Sequence, residues 1–485
     1  MSPSAPPTRR RRARLPGPQG LVIVAAAVVG ARIGLRPISD NSTLVHLRTG
    51  IDLVHSGHVP RSDPYSFTAF GHPWVVQSWL ASLLYGLADA VGHHALVFEQ
   101  AAIMAAVAAV VALTARAPTA WRSGLAAALA IGASAPGWSP RPLMFELLCL
   151  ALLILIVERG ANPLWLVPVM WVWVNTHGSW PVGLVWLGAR AVGEAIDVRG
   201  WPRVTLVRVA GFAAGLAVAF VNPLSWRLLT FPFVAIQKRP VFQTIVEWRS
   251  PNFQDPNTVI ALVFIVLALL VLLRAALPWA QLLPVAAFLA LALVAERNLG
   301  PFGVVLAPAL ASALSSAGTV HHPWARRVTE VGRSAAWRWA VLGVAGAIVA
   351  GLVTVTDQRP VLSLGSYPVA ATAFLQRSGR LGPGHRIAAV DVVGCYLIWR
   401  AGPSTRVFID DRYDMYPVAV VDDAAVIAGG GQDAEAVLDR RGVDTIVWRA
   451  NGLLPGVLLR NGAWRQTYDD GTWTVLERQT GETPA

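Results

Sequence analysis

The sequence has few charged residues, and this shortage excludes most soluble folds. Asp, Glu, Lys and Arg make up 14% of the 485 residues, whereas soluble domains carry about 25%. Hydrophobic residues make up 54%, and the mean hydropathy is +0.51. Apolar runs of about 20 residues, the length that crosses a bilayer, recur along the chain. The composition therefore predicts a mainly α-helical, polytopic transmembrane bundle whose first partner is the lipid bilayer.

Cysteine is also scarce, and several functional signatures are missing. Cys149 lies in an apolar run and Cys395 lies near the C-terminus, so we expect no disulfide bridge between them. Neither cysteine belongs to a metal-ligand spacing. The sequence contains no Gly-rich phosphate loop and no internal repeat. Its basic residues do not concentrate on one folded module, which argues against a nucleic-acid partner.

The uneven distribution of charge predicts an orientation in the membrane. The chain carries a net charge of +12, but from Val361 onward 14 acidic residues stand against 12 basic ones. Basic residues favour the cytoplasmic side of membrane proteins. We expect a retained signal anchor and about eleven spans in a bacterial plasma membrane, with the N-terminus cytoplasmic and the C-terminal domain extracytoplasmic. The spans are predicted at 20–36, 94–115, 122–137, 143–157, 163–177, 180–196, 207–222, 257–274, 278–295, 299–315 and 338–356.

Three regions follow from these patterns. Residues 1–19 form an Arg-rich cytoplasmic tail that we expect to be disordered. Residues 20–358 form the transmembrane domain, in which 38–92 contains the first external loop and an interfacial helix at 77–91. Residues 359–485 have the composition of a small soluble domain. Strands predicted at 386–393, 406–410, 443–448 and 473–477 and helices at 433–440 and 453–459 indicate an α/β fold.

The first external loop holds an acidic residue at the predicted membrane boundary. Asp40 follows the first span directly, and an ionisable residue there is expensive unless it is paired or used. Ser39-Asp40-Asn41-Ser42 is also good material for a helix N-cap. Asp40 is therefore either a catalytic carboxylate or the cap of the next helix.

Short polar landmarks recur from the first loop to the C-terminal domain. They are, in chain order, Asp40, His46, Gly57–Thr68, Trp74–Leu80, Arg141-Pro142, Trp173–Gly178, Asn222-Pro223, Glu247-Trp248 with Pro251, Arg297-Asn298, Gly394–Trp399 and Val407–Arg412. In this series the chain resembles the bacterial C-type (GT-C) glycosyltransferase superfamily, whose members use polyprenyl-phosphate sugars. One departure stands out: the acid-x-acid pair of many such enzymes is Asp40-Asn41-Ser42 here, with one acid missing.

The resemblance implies a transfer of sugar from a polyprenyl-phosphate donor to an extracytoplasmic acceptor, which is a cell-envelope glycan, lipid or protein. Such a transfer needs a base for the acceptor hydroxyl and positive charge for the departing phosphate. Asp40 is the candidate base. Asp63 is a candidate auxiliary acid that either binds a divalent cation, Mg or Mn, together with Asp40 or orients the acceptor. Ser62-Asp63-Pro64 is equally an ordinary turn.

Further candidates each have a structural alternative. Glu247 is a second catalytic or metal-binding acid, or half of a surface pair with Arg249. Arg297, with Asn298, holds a lipid phosphate through its bidentate fork or extends to the headgroups. Lys238-Arg239 offers a second phosphate clamp, although here extension to the headgroups is the preferred interpretation.

Other polar and aromatic candidates remain open in the same way. His46 contacts a phosphate or is a satisfied interfacial histidine; its spacing from Asp40 does not suit a helical metal pair. Asn175 and His177 line a cavity or bond between helices. Trp74 and Trp79 stack on a sugar or belong to the interfacial aromatic belt. Residues 410–414 are acidic enough for a cation site, but a strand-end turn with a salt bridge is favoured.

Two other functional classes fit parts of the pattern. A transporter or flippase of a lipid-linked substrate would share the intramembrane polar groups, although the sequence shows no repeat halves with matching broken helices. A non-catalytic scaffold of an envelope-synthesis complex would explain the missing acid of the first loop.

Overall fold

The computed structural model describes residues 16–242, 245–316, 334–460 and 462–479; most of the predicted tail 1–19 and the side chain of Arg239 lie outside the described residues. The helices are α1 Pro18–Gly34, α2 Asn41–Ser56, α3 Trp79–Val91, α4 His93–Thr114, α5 Ala120–Ser134, α6 Leu143–Glu158, α7 Leu166–Thr176, α8 Pro181–Val198, α9 Arg203–Val218, α10 Trp226–Gln237, α11 Arg239–Phe242, α12 Pro256–Leu272, α13 Trp279–Val294, α14 Leu299–Ser316, α15 Ala335–Asp357, α16 Val369–Arg377, α17 Asp391–Ala401, α18 Val418–Gly429, α19 Asp433–Arg441 and α20 Leu453–Arg460.

The helices up to α15 form the predicted polytopic bundle. Among the described residues, three helical segments are long and apolar enough to cross a membrane by themselves: His93–Thr114, Glu296–Ser316 and Ala335–Asp357. Shorter apolar helices accompany them at Pro18–Gly34, Trp79–Val91, Pro256–Leu272 and Trp279–Val294. Helix α14 packs against α5 and α13, and α1 packs against α4 and α15. Exposed apolar side chains such as Val263, Leu267 and Leu270 on α12 lie where lipid would solvate them.

The first loop contains helix α2, whose bounds were not predicted from the sequence. Helix α2 begins after the Asp40 cap and ends at Gly57, whose φ is +69°, a left-handed conformation that glycine adopts without strain. The backbones of helices α2 and α3 are in contact where the two helices cross. A methyl group added at Gly50 would lie 1.9 Å from the Ser82 carbonyl oxygen. Only glycine permits this approach, which fixes α2 on the bundle.

The C-terminal domain is the predicted α/β unit, with a mixed five-stranded sheet. Its strands are β1 Arg386–Ala388, β2 Arg406–Val407, β3 Thr445–Arg449, β4 Trp464–Asp469 and β5 Trp473–Arg478, in the order β2-β1-β3-β5-β4. Strand β1 pairs in parallel with β2 and β3, whereas β5 pairs antiparallel with β3 and β4. Buried residues of β3 and β5 such as Ile446 and Val475 form its core.

Two strand predictions in this domain were too long, and one strand was not predicted. The strand expected at 406–410 ends at Val407. The strand expected at 386–393 ends at Ala388, and α17 begins at Asp391. The short apolar run is compatible with a strand or a buried helix, and the packing of α17 on α2 decides for the helix. Strand β4 was missed because four of its six residues are polar or charged side chains that are at least partly exposed.

The first loop is attached to the edge of this sheet. Ser66 forms a parallel bridge with Val407. The amide of Phe67 donates to the Val407 carbonyl at 3.1 Å, and the Val407 amide donates to the Tyr65 carbonyl at 3.1 Å. Ile38 is bridged to Leu362 in the same manner. These backbone contacts hold the C-terminal domain against one end of the bundle, which we call the domain end.

Candidate active site

A cavity of about 840 Å³ lies at the domain end, between the bundle and the C-terminal domain. The start of α2 lines one wall through Asn41 and Ser42, and Arg141 lies on the bundle side. The segment before α12 contributes Glu247, and the C-terminal domain contributes Asp411. Four segments that are distant in sequence therefore meet at one cavity, the size of which suits a small ligand or headgroup.

Asp40 adjoins this cavity, because its neighbour Asn41 and its ion-pair partner Arg141 belong to the lining. Its carboxylate caps α2 by accepting from the Ser42 amide at 3.0 Å, as the N-cap alternative predicted. The other carboxylate oxygen accepts from Ser139 Oγ at 2.6 Å and lies 3.0 Å from Arg141 Nε. Asp40 therefore caps α2 and pairs with Arg141 at the same time, so its role as a helix cap does not exclude a role at the cavity.

Arg141 joins Asp40 to Glu247. Its Nη1 lies 2.8 Å from the Glu247 carboxylate, and Arg297 Nη1 lies 3.9 Å from the same side chain. Arg297 also lies over the Trp248 ring at 4.4 Å. Burial would raise the pKa of Glu247, but Arg141 and Arg297 outweigh it and hold that pKa below its usual value. Glu247 is therefore an anion that orients two guanidinium groups.

Asp411 reaches the same cavity from the C-terminal domain. The Asn41 amide group donates to Asp411 Oδ2 at 3.2 Å, which connects the sheet-side turn to the residue after Asp40. The Asp411 amide contacts Cys395 Sγ at 3.4 Å. Burial, with the charges of Asp410 and Asp40, raises the pKa of Asp411 to about 7.

Asp63 and Trp74 lie in a different cluster, centred on Arg412. Asp63 accepts from the Tyr65 and Ser66 amides and from Ser66 Oγ, and its carboxylate lies 2.8 Å from Arg412 Nη2. The Asp63 side chain has no exposed surface, and the Trp74 ring lies 4.5 Å from the Arg412 guanidinium. The geometry supports the turn for Asp63 and a buried packing role for Trp74, rather than substrate contact.

The other half of the Arg412 cluster is Asp410. Its two oxygens lie 2.7 Å from Arg412 Nε and Nη2, and Tyr416 donates to it at 2.6 Å. This is the strand-end turn with a salt bridge that the sequence analysis favoured over a cation site.

His46 faces the bundle rather than the cavity. Its Nδ1 lies 2.9 Å from Ser82 Oγ of α3. Burial, with the nearby charges of His177 and Arg141, lowers the pKa of His46 to about 3. A neutral ring with a hydroxyl partner corresponds to the satisfied-histidine alternative.

Asn175 and Trp79 bond to each other between helices. Trp79 Nε1 donates to Asn175 Oδ1 at 2.7 Å, and the Asn175 amide donates to the Trp171 carbonyl at 2.7 Å. His177 Nδ1 lies 2.7 Å from Ser179 Oγ and 3.2 Å from the buried Glu146 carboxylate. These contacts favour the interhelical alternative, in line with the need to satisfy polar groups inside a bundle.

The side chains of Asn298 and Lys238 donate hydrogen bonds to backbone carbonyls. Asn298 donates to the Leu291 carbonyl at 3.0 Å, which closes the end of α13. Lys238 Nζ donates to the Asp414 and Tyr416 carbonyls at 2.5 and 2.9 Å. Lys238, which we expected to extend to the headgroups, instead fastens the bundle to the C-terminal domain.

The residues do not fit the predicted divalent cation. The Asp63 carboxylate is fully engaged with amides, a hydroxyl and Arg412, and Asp40 is engaged with the α2 cap, Ser139 and Arg141. Within 16–242, 245–316, 334–460 and 462–479, no group of three or more His, Cys, Asp or Glu side chains is arranged to hold a metal ion. We therefore derive no step through a cation at Asp40 and Asp63.

The sequence indicated no separate role for Arg141, and it indicated Asp411 only as part of the acidic segment 410–414, although both lie inside landmarks of the resemblance. Arg141 precedes Pro142 in the short connection between α5 and α6. A charged side chain between two apolar spans is costly unless it is paired, and this is the signal that could have found it. Asp411 was grouped with Asp410 because the two are adjacent, and only the fold separates the buried carboxylate from the one at the cavity.

The bundle, its first-loop helix and the small α/β domain over the cavity together have the architecture of the GT-C glycosyltransferases, as the sequence resemblance predicted. Neither the protein-family models nor the curated proteins contain a match to this sequence. The likeness comes from solved structures. The chain is similar to ArnT from Cupriavidus metallidurans bound to undecaprenyl phosphate, with 15% identity over 95% of this chain and 98% of that one, at a TM-score of 0.51.

ArnT from the same organism in the apo state gives a similar result, with 14% identity over 94% of this chain and 97% of that one, at a TM-score of 0.50. At this identity the likeness shows the fold and not the activity. The chain is an integral membrane protein with a GT-C-type fold. The likeness covers nearly the full length of both chains, so it includes the C-terminal domain.

Proposed function

We propose that this protein is a membrane glycosyltransferase that moves a sugar from a polyprenyl-phosphate donor to an acceptor at the domain end. The observation that carries the proposal is the cluster of Asp40, Arg141 and Glu247 beside a cavity of about 840 Å³. The ArnT-type fold supports the donor class, because one of the similar structures contains undecaprenyl phosphate. The cell-envelope acceptor, be it glycan, lipid or protein, is part of the proposal.

The cluster supplies the charge that the reaction needs. The bond from the sugar anomeric carbon to the phosphate oxygen breaks, and the lipid phosphate leaves with that electron pair. Arg141 lines the cavity, and its planar fork is suited to a phosphate. Arg297 lies behind it near Glu247. Asp40 and Glu247 keep the Arg141 guanidinium oriented before substrate arrives, which is the preorganisation that stabilises developing charge. The base role that the sequence assigns to Asp40 stays a prediction.

The orientation is also part of the proposal. A cytoplasmic N-terminus and about eleven crossings would place the C-terminal domain and the cavity outside the plasma membrane. The acceptor would then come from the cell envelope. A cysteine introduced at exposed Leu453 of the C-terminal domain should react with a membrane-impermeant thiol reagent in intact cells if this orientation is right. Labelling only after cell lysis would indicate that the C-terminal domain is cytoplasmic.

The function is tested by deleting the gene and restoring it as wild type or as Asp40→Asn. We expect the deletion and the Asp40→Asn strain to lack one envelope glycan and to accumulate one polyprenyl-phosphate sugar, because Arg141 loses a partner at the site. Asp89→Asn is the matched control, since Asp89 pairs with His93 away from the cavity.

The two profiles also separate the other functional classes. A deletion strain with no change in lipid-linked sugar would contradict transfer from such a donor. A sugar-lipid that changes sides without losing its sugar would indicate a flippase instead. Full rescue by Asp40→Asn at equal expression would remove Asp40 from the reaction.

A further inference from the structure

Asp410 and Asp411 are neighbours in sequence but have opposite surroundings. Asp410 is buried, with Arg412 on both of its oxygens and Tyr416 as a third partner. Asp411 lines the cavity, and its carboxylate accepts from the Asn41 amide group at 3.2 Å. Among the described residues no Lys, Arg or His nitrogen forms a salt bridge with Asp411 within 4.0 Å. Asp411 is thus the carboxylate of this pair that a substrate can meet.

Asp40 is placed less well to receive a proton from a substrate. Its oxygens accept from the Ser42 amide and from Ser139 Oγ, and they lie 3.0 Å from Arg141 Nε. Asn41, Arg141 and Asp411 line the cavity, whereas Asp40 is not among its lining residues. A base must come within hydrogen-bond reach of the proton it takes. The geometry makes Asp40 the partner of Arg141 and leaves Asp411 open.

We propose that Asp411 of the C-terminal domain is the catalytic base of this cavity and takes the proton of the acceptor hydroxyl. The inference rests on the proposed transfer reaction. The acceptor oxygen forms the bond to the anomeric carbon as the bond to the phosphate oxygen breaks, and the hydroxyl proton passes to the Asp411 carboxylate. Asn41 then has a defined role beside the first-loop acid: its amide orients the carboxylate that the C-terminal domain supplies.

The electrostatic surroundings give Asp411 a suitable proton affinity. The groups that face it are the acids Asp40, Asp391 and Asp410, the neutral side chains of Cys395, Tyr367 and Tyr413, and the cation Arg141. Burial and the neighbouring acids bring the pKa of Asp411 to about 7, and a base works best when its pKa is near the working pH. Asp411 is protonated below this pKa, so transfer should fall as the pH drops through about 7.

The test compares variants of the full chain in membrane vesicles from the deletion strain, whose polyprenyl-phosphate sugars are radiolabelled by growth on labelled glucose. We measure transfer of label from lipid to glycan between pH 5 and 9. Asp411→Asn should lower the rate at least about 10²-fold and remove the rise through about pH 7. Asp40→Asn should lower the rate but keep that rise. Asp433→Asn, which changes an exposed acid of the same domain that does not line the cavity, is the matched control and should keep both.

Asn41→Ala tests the same inference without removing the carboxylate. The Asn41 amide favours the charged form of Asp411, so its loss should raise the Asp411 pKa and move the rise in rate to higher pH. A normal rate and pH profile in Asp411→Asn would overturn the inference while leaving the transfer reaction intact. A wild-type protein that moves no label would instead overturn the proposed function.

Discussion

Arg141 and Arg412 each join two carboxylates that are far apart in sequence, but their surroundings differ. Arg412 lies between Asp63 of the first loop and Asp410 of the C-terminal domain, and the exposed fractions of the three side chains are 7%, 0% and 0%. Arg141 lies between Asp40 and Glu247, and the exposed fractions are 29%, 13% and 27%. A buried cluster of this kind fixes structure, whereas one that opens on a cavity can exchange a partner for a substrate.

The comparison also separates two functions of the first loop. Around Asp63 the loop adds backbone hydrogen bonds to strand β2 and fixes the C-terminal domain. Around Asp40 it starts helix α2 and positions Arg141. An acid-rich loop therefore contains one structural carboxylate and one that belongs to the site, and their burial distinguishes them.

The largest effect is expected from Asp63→Asn. This change leaves Arg412 with one buried partner fewer, and breaking a buried ion pair costs about 3–5 kcal/mol. We expect little folded protein in the membrane, measured as the monodisperse fraction after extraction and as the melting temperature. Asp439→Asn, which breaks the exposed pair with Arg478, should cost less than about 1 kcal/mol. Equal stability of the Asp63→Asn and Asp439→Asn variants would contradict a structural role for the Arg412 cluster.

A smaller loss of stability but a large loss of activity is expected from Arg141→Gln. Without the guanidinium the departing phosphate loses its main positive partner, and removing one such donor costs about 10²–10³-fold in rate. The measurement is transfer of labelled sugar by the vesicles, together with the melting temperature. Arg48→Gln is the control. Arg48 pairs with Asp52 within helix α2, and the two side chains are 23% and 24% exposed, which is close to the exposure of the Arg141 cluster. A similar rate loss in both variants would contradict a special role for Arg141.

The smallest effect is a pH-dependent gain of stability in Asp411→Asn. The folded protein holds the Asp411 pKa at about 7, above its value in an unfolded chain, so this group destabilises the fold increasingly as the pH rises from about 4 to 7. Asparagine removes that cost. The melting temperature of the variant should exceed that of the wild type by a few degrees at pH 8, on the order expected for about 1 kcal/mol, and the difference should shrink at pH 5. Asp410→Asn should show the opposite sign at pH 8.

Much of the helical domain could be predicted from the sequence because apolar runs bounded by Gly, Pro and Arg are a local signal. Helices α4, α6 and α14 lie within two residues of the segments predicted for them. The weak points were short segments: the run around Asp391 was predicted as strand, and β4 was not found, since a polar edge strand has little periodicity. The resemblance to GT-C enzymes, which rests on scattered landmarks, is confirmed at the level of the fold.

The site was predicted less well, for a physical reason. The sequence indicated Asp40, because an acid at a predicted membrane boundary is costly unless it is used, and it indicated Glu247 through a landmark of the resemblance. It could not tell Asp40 from Asp63 or Asp410 from Asp411, since in each pair the residues are of one type and lie in one polar segment. Nor could it tell that Asn175, His177 and His46 meet protein partners between helices.

The sequence by itself therefore determined that the chain is a polytopic helical membrane protein with a small α/β domain, because hydropathy and periodicity are properties of contiguous residues. Tertiary structure alone decided which polar groups meet. Asn41 reaches Asp411 across 370 positions of the chain, and Lys238 reaches the Tyr416 carbonyl across 178. Contacts of this separation depend on how the C-terminal domain docks on the bundle, and that docking is set by backbone bonds at Ser66 and Val407 that no local pattern encodes.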